Sequence, residues 1–199
     1  MKIACIDFEG VLVPEIWVSL AERTGIDALK VTTRDIPDYH ELMNYRLGVM
    51  EEHGLRYAQL HEAAASLSPL DGAPEFLRWL RSEFQVAIIS DTFHELAAPL
   101  VAKLEFPVIL CHQLDIDASD RIVGYRLRQS DPKRHAVQAF QSLEYQVVAT
   151  GDSFNDISML QQANVGMLFC PSEKVVQKHP EIPVANSYAE LRSMFSAAL

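Results

Sequence analysis

Hydrophobic positions along this chain switch between two rhythms. Short unbroken apolar runs predict buried strands, and apolar residues recurring every third or fourth position predict helices with one buried face. The first run, Lys2-Ile3-Ala4-Cys5-Ile6, is a strand that delivers Asp7, Phe8 and Glu9 and stops at Gly10. Pro14-Glu15 then opens a helix with Ile16, Trp17, Leu20 and Ala21 on one face and Gly25 as its stop. A polar stretch from Thr32 to Asp38 follows, in which Pro37 argues against a helix. Two more helices are predicted. One runs from about Asp38 to Glu52 on Leu42, Met43, Leu47 and Met50, ended by Gly54; the other runs from about Tyr57 to Leu67 on Leu60, Ala63, Ala64 and Leu67.

From Asp71-Gly72 onward the pattern alternates. Pro74 opens a helix through Phe76, Leu77 and Leu80. A strand Gln85–Ile89 ends at Ser90-Asp91-Thr92, a helix carries Leu96, Leu100, Val101 and Leu104, and a strand follows at Val108–Cys111. Residues 113 to 128 read as an antiparallel hairpin turning at Asp117-Ala118-Ser119-Asp120. Helices at Lys133–Leu143, Ile157–Ala163, Ser172–Lys178 and Tyr188–Ala198 alternate with strands at Tyr145–Thr150 and Val165–Phe169. Strands alternating with helices predict an α/β fold: a doubly wound, mostly parallel sheet. The helical stretch from 14 to 70, directly after the first strand, reads as a small separate unit, with 1–13 and 71–199 as the core.

Composition narrows the class of protein. Apolar residues make up 49% of 199 residues, enough for a globular core. The net charge of -10, without a basic stripe, makes nucleic acid and anionic membrane poor partners. Acids at Asp7 and Glu9 interrupt any signal-peptide core, and no run approaches the roughly 18 apolar residues of a membrane span. Cys5, Cys111 and Cys170 are scattered and odd in number, as expected of thiols in a reducing compartment. The expected location is the cytoplasm, as a monomer or a homodimer.

In an open α/β sheet, ligands bind beyond the carboxyl ends of the strands. Three predicted strands end in polar groups: Asp7/Glu9, Ser90-Asp91-Thr92, and Asp152/Asn155/Asp156. If these strands are neighbours, their carboxylates crowd together and call for a cation. All-oxygen donors favour a hard ion, with Mg2+ the first choice. A hydroxyl (Ser90), backbone amides and a lysine (Lys133) suit a phosphoryl group. Asp7 can then attack phosphorus, and Glu9 can move the proton as a general acid–base. Each piece has a plainer reading. Ser90 can cap the following helix, Asp152 to Asp156 can favour a helix dipole, and Lys133 can be an ordinary exposed lysine. His112, beside Cys111, reads as structural rather than as a metal ligand. No P-loop and no G-x-G-x-x-G string is present, which disfavours a P-loop kinase or a Rossmann dehydrogenase.

Four motifs in order resemble the haloacid dehalogenase-type phosphatases. Asp7-Phe8-Glu9-Gly10-Val11 resembles the D-x-D-x-T/V nucleophile loop, Ser90 the second-motif hydroxyl and Lys133 the third-motif lysine. Gly151-Asp152-Ser153-Phe154-Asn155-Asp156 resembles G-D-G/S-x-N-D, the most specific of the four. The stretch 14–70 sits where that family inserts a C1-type cap. Within the family the chain is most similar to phosphoserine phosphatases, and closer still to a bacterial subgroup with phosphoserine:homoserine phosphotransferase activity. The strings carrying this are Asp7 to Trp17, Ile89-Ser90-Asp91-Thr92-Phe93 and Asp131-Pro132-Lys133-Arg134.

The resemblance implies a nucleophile at Asp7 and Mg2+ held by Asp7, the Glu9 backbone carbonyl and Asp152, with Asp156 in support. It implies that Glu15 and Arg46 read the ammonium and carboxylate of phosphoserine, with Ser90, Asp91, Thr92, Lys133 and Asn155 completing the substrate site. It also implies a place in serine and threonine metabolism. Two departures stand out. Glu9 replaces the usual second aspartate, and Asp91-Thr92 replaces the glycines that usually follow the second-motif serine. Both bear on the second reactant, and both are expected to favour homoserine as acceptor alongside water. The competing readings are a capped phosphatase for a sugar phosphate or nucleotide, a receiver-type phospho-aspartate signalling module, and a catalytically dead scaffold. The helical stretch from 14 to 70 argues against the receiver. The intact set of Asp7, Ser90, Lys133 and Asp152 argues against the scaffold.

Overall fold

The computed structural model describes residues 1–33, 35–36 and 38–198. Pro37, expected to keep the chain before the second helix non-helical, lies outside the described residues. The strands are β1 (Lys2–Ile6), β2 (Gln85–Phe93), β3 (Ile109–Ile116), β4 (Ile122–Arg126), β5 (Gln146–Gly151), β6 (Val165–Phe169) and β7 (Val184–Ala185). Among the described residues they form one sheet in the order β4-β3-β2-β1-β5-β6-β7. Every pairing is parallel except β3 with β4. β1 is central, with β2 on one side and β5 on the other, so the strand order reverses around it. That reversal opens a crevice at the carboxyl end of β1.

Side-chain alternation along the strands feeds two apolar layers. Ala4, Ile6, Ile88 and Val148 face one way, against α4 (Ala73–Glu83), α5 (His94–Lys103) and α9 (Tyr188–Ala197). Ile3, Cys5, Ala87, Ile89 and Ala149 face the other, against α6 (Pro132–Ser142), α7 (Ile157–Gln162) and α8 (Glu173–Lys178). Buried on the second side, the Cys5 thiol is pushed up to about 12, so it stays protonated and inert.

The helical stretch after β1 contains α1 (Ile16–Thr24), a 3-10 turn at Asp27–Lys30, α2 (Tyr39–Glu52) and α3 (Tyr57–Ser66). Ile16, Trp17, Leu20 and Ala21 of α1 are all buried, and Gly25 ends the helix at φ 72°. Buried residues of these helices belong to the same apolar cluster as the first layer. Polar ties anchor them to the sheet. The Tyr57 and Ala58 amides donate to the Asp120 carbonyl and carboxylate, each at 3.0 Å, so the β3–β4 turn caps α3. Among the described residues, no helix is long and apolar enough to cross a membrane.

Four elements differ from expectation. The run Val108–Cys111 and the first arm of the hairpin are one strand, β3, whose first half pairs with β2 and second half with β4. His112 is buried with polar partners, and the strand continues through His112-Gln113. β2 likewise runs on through Ser90-Asp91-Thr92 to Phe93, with a register shift between Ile89 and Phe93. β7 and the 3-10 turn are too short to leave a periodic signal.

Phe195 on α9 is fully buried and meets Phe84 edge-on at 5.5 Å and Phe76 at 6.0 Å. Phe195→Ala should cost about 3–5 kcal/mol of stability, read as a lower midpoint in urea unfolding.

Candidate active site

The sheet register decides which polar groups meet. Ile6 lies beside Ile88 of β2 and Thr150 of β5, so the next residue, Asp7, emerges between the ends of two neighbouring strands. The Asp7 amide donates to the Thr150 carbonyl at 3.0 Å, which continues the ladder one step past β1. The chain then turns: the Leu12 and Val13 amides donate to the Phe8 carbonyl, and Gly10 donates to Val13. None of these three bonds uses the Glu9 carbonyl. Gly10 has φ 81°, and a Cβ there would lie 2.6 Å from Asp152 Cγ. Gly10 thus lets the β1 and β5 loops close against each other.

Lys133 sits at the centre of the crevice, 1% exposed. Its Nζ is 2.6 Å from Asp156 Oδ1, 2.8 Å from Asp7 Oδ1 and 3.7 Å from Asp91 Oδ2. Burial works against its charge, but Asp156, Asp7 and Asp91 together more than offset that and raise its pKa well above the usual lysine value. The start of α6 holds it there. Asp131 precedes the helix in a left-handed conformation, and its carboxylate accepts from Ser158 Oγ and from Arg134 Nε.

Asp156 has a supporting job. Its Oδ2 accepts from the Asp152 and Ser153 amides at 3.0 Å each, while Oδ1 takes Lys133. It therefore shapes the loop that presents Asp152. Asp7 accepts from the Phe8 amide at 2.7 Å and from Lys133, both on Oδ1. Burial, then Asp156 and Asp152, push the Asp7 carboxyl well up, and Lys133 opposes them.

Asp7, Asp152 and Asp156 offer carboxylate oxygens that lie within 4.8 Å of one another. One ammonium does not neutralise so many acids, and a hard cation on this all-oxygen set would lower the raised Asp7 carboxyl. The donor set fits such an ion.

Beyond the acids, a pocket of about 60 Å³ is lined by Asp7, Glu9, Glu15, Arg46, Ser90 and Lys133, with Tyr39 and Trp17 among its walls. Arg46 of α2 is buried. Its guanidinium lies 4.8 Å over the Trp17 ring and donates to the Val31 carbonyl through Nε and Nη2 at 3.3 and 2.9 Å. Burial lowers its pKa, and the negative charges of Glu9 and Glu15 oppose that. The Glu9 carboxylate accepts from the Ile16 amide at 2.9 Å, capping α1, whose formal N-cap Glu15 makes no capping bond. Tyr39 Oη donates to the Asp91 carbonyl at 2.6 Å.

Ten of the eleven residues expected at the site line this pocket, and the eleventh, Asp156, is fully buried behind it on Lys133. Ser90, Asp91 and Thr92 are within β2, so Ser90 does not cap α5, whose N-cap is Phe93. The Thr92 amide donates to Ser90 Oγ at 3.2 Å. Lys133 is buried rather than exposed. Asn155 Nδ2 donates to Asp91 Oδ2 at 2.8 Å. His112 Nε2 lies 3.5 Å from Asp91 Oδ1. Tyr39 was not anticipated. It opens α2 after a polar stretch, and nothing in the local pattern marks it.

A family model described as haloacid dehalogenase-like hydrolase matches residues 1–164. The chain is 56% identical to phosphoserine phosphatase ThrH of Pseudomonas aeruginosa, over 100% of this chain and 97% of that one. It is 51% identical to a phosphoserine phosphatase of Pseudomonas syringae pv. tomato, over 100% and 84%. Among solved structures, a phospho-aspartyl intermediate analogue of phosphoserine phosphatase superposes with a TM-score of 0.80 at 20% identity, covering 98% of each chain. A substrate-bound phosphoserine phosphatase gives 0.80 at 19% identity, covering 98% and 97%. At these identities the likeness is one of fold.

Burial raises the Asp91 carboxyl, but Lys133, His112 and Asn155 outweigh it and hold it at about 2. A carboxyl depressed by folding adds stability that is present above its unfolded value and lost as pH falls through its folded one. The stability margin of the parent over Asp91→Asn should therefore shrink by about 2 kcal/mol between pH 4 and pH 2, read by urea unfolding at each pH.

Proposed function

This chain belongs to the haloacid dehalogenase-like hydrolases, and from that membership we propose that it is a Mg2+-dependent phosphoserine phosphatase that also passes the phosphoryl group to homoserine. The observation that carries the reading is that one pocket is lined by Asp7, Lys133, Arg46 and Glu15 together. That set matches a phosphate ester carried on a zwitterion. The relatives named phosphoserine phosphatase support the substrate.

In the reaction, the Arg46 guanidinium takes the substrate carboxylate and Glu15 takes its ammonium. Lys133 and Ser90 bind phosphoryl oxygens, with amides after Ser90 completing the cradle. An Asp7 carboxylate oxygen attacks phosphorus, forming the aspartyl–phosphorus bond as the bond from phosphorus to the serine oxygen breaks. Glu9 gives its proton to that oxygen and serine leaves. A water or homoserine hydroxyl then attacks phosphorus while Glu9 takes its proton. The bond to Asp7 breaks, and orthophosphate or O-phosphohomoserine departs. Mg2+, held by Asp7, the Glu9 carbonyl and Asp152 with Asp156 behind them, would supply charge neutralisation at the phosphoryl oxygens.

Residues 14–70 act as the cap over a core of 1–13 and 71–199, since Glu15, Trp17, Tyr39 and Arg46 all reach the pocket from that stretch. Products of this chemistry, serine and phosphohomoserine, place the enzyme in serine and threonine metabolism. Family membership sets aside the receiver-type module. A sugar phosphate or nucleotide would leave the buried Arg46 without a carboxylate to bind.

Asp7→Asn should abolish turnover of phosphoserine in Mg2+, measured as phosphate release; retained turnover would move the nucleophile elsewhere. Arg46→Ala should lower kcat/KM for phosphoserine by roughly tenfold to a hundredfold, with turnover of p-nitrophenyl phosphate, which has no carboxylate, nearly unchanged. Incubation of phosphoserine with homoserine and Mg2+ should yield phosphohomoserine beside orthophosphate. Orthophosphate as the sole phosphorus product would leave a plain phosphatase.

A further inference from the structure

Asp91 introduces a problem that the rest of the site must solve. It places a carboxylate beside the lysine of an anion site already crowded with acids. An unrestrained carboxylate there competes with a phosphoryl group for Lys133 and repels it. The structure shows Asp91 restrained on several sides. Asn155 Nδ2 donates to Oδ2 at 2.8 Å, and Tyr39 Oη donates to the backbone carbonyl at 2.6 Å. On Oδ1 the facing group is His112 Nε2 at 3.5 Å.

The state of His112 is determined by its other nitrogen. The Arg128 amide donates to Nδ1 at 3.1 Å, so Nδ1 is the acceptor and the ring proton sits on Nε2, pointing at Asp91. The ring is 2% exposed and wedged edge-on against Tyr39 at 5.7 Å and tilted against Phe93 at 6.2 Å, which denies it another rotamer. Asp91 and His112 also line a second cavity of about 310 Å³ that shares Tyr39, Lys133 and Asn155 with the reaction pocket. Asp91 is thus the partition between two spaces, and its carboxylate has room to move unless it is held.

We propose that His112 is a positioning residue for phosphoryl binding: through its Nε2–H it holds the Asp91 carboxylate on Asn155, with Oδ2 at 3.7 Å from Lys133 Nζ rather than at the 2.6 and 2.8 Å of Asp156 and Asp7, so that Asp91 does not close on Lys133 in place of a phosphoryl oxygen. This rests on reading Asp7 and Lys133 as the phosphoryl site and is independent of the amino acid that carries the phosphate. His112 acts only through Asp91 and touches no reacting atom.

The test measures the dissociation constant of orthophosphate in Mg2+ by titration calorimetry. In His112→Gln the amide nitrogen reaches the Nε2 position, and orthophosphate affinity should stay within about twofold of the parent. In His112→Asn the amide reaches only the Nδ1 position, and affinity should fall roughly tenfold. His112→Leu keeps the packing against Tyr39 and Phe93 without an N–H and should match His112→Asn, so a failure of one variant to fold leaves the other to decide. In an Asp91→Ala background the same His112 substitutions should have no further effect. Parent-like affinity in His112→Asn or His112→Leu, or an equal loss with Asp91 already removed, overturns the proposal while leaving the phosphoryl site in place. A parent that binds no orthophosphate overturns both.

Discussion

A single buried ammonium governs this structure. Lys133 lies between Asp7 and Asp156 and near Asp91, so groups from the ends of three strands converge on one cation. None of those acids is stable in that place alone, because a buried charge without a partner costs several kcal/mol. Burial alone would lower the Lys133 pKa, and those acids reverse that. The sheet order that makes β1 central, the conformation of Asp131 and the glycine at position 10 all serve to bring these groups to one point.

An imbalance remains. Burial, then Asp156 and Asp152, raise the Asp7 carboxyl more than Lys133 lowers it. A hard cation on this all-oxygen set would relieve that crowding. Arg46, which lines the same pocket, is held by a carbonyl and by the face of Trp17. Glu9 shares the loop after β1 with Asp7, yet its carboxylate caps α1, which begins just after Glu15 and carries Trp17. The extra methylene relative to aspartate gives it reach toward that helix.

Much of this was legible in the residues. Strand ends bearing Asp7, Ser90 and Asp152 follow from apolar runs that stop at polar residues, and the alternation after Asp71 requires a parallel sheet. The helices at 16–24, 39–52 and 57–66 lie where periodicity placed them. Reading failed where a polar side chain has a buried partner. Ser90-Asp91-Thr92 and His112-Gln113 look like strand breaks in one dimension, and each lies inside a strand because the partner that satisfies it comes from another element. Lys133 was legible as a phosphoryl-binding lysine, but not its burial between Asp7 and Asp156, which lie far from it along the chain.

By itself, the sequence determined the alternation of elements, the identity of the chemical groups and the loops that present them, since these depend on neighbours within a few residues along the chain. The tertiary structure decided which of those groups meet. Whether Lys133 is a solvated side chain or the centre of a carboxylate cluster depends on Asp7, Asp91 and Asp156, which are far from it along the chain and close in space. The same holds for Asp91, whose restraint comes from Tyr39, His112 and Asn155 on three other elements. Charge and hydrogen-bond energies act over a few ångströms of space, and only the folded chain sets those distances.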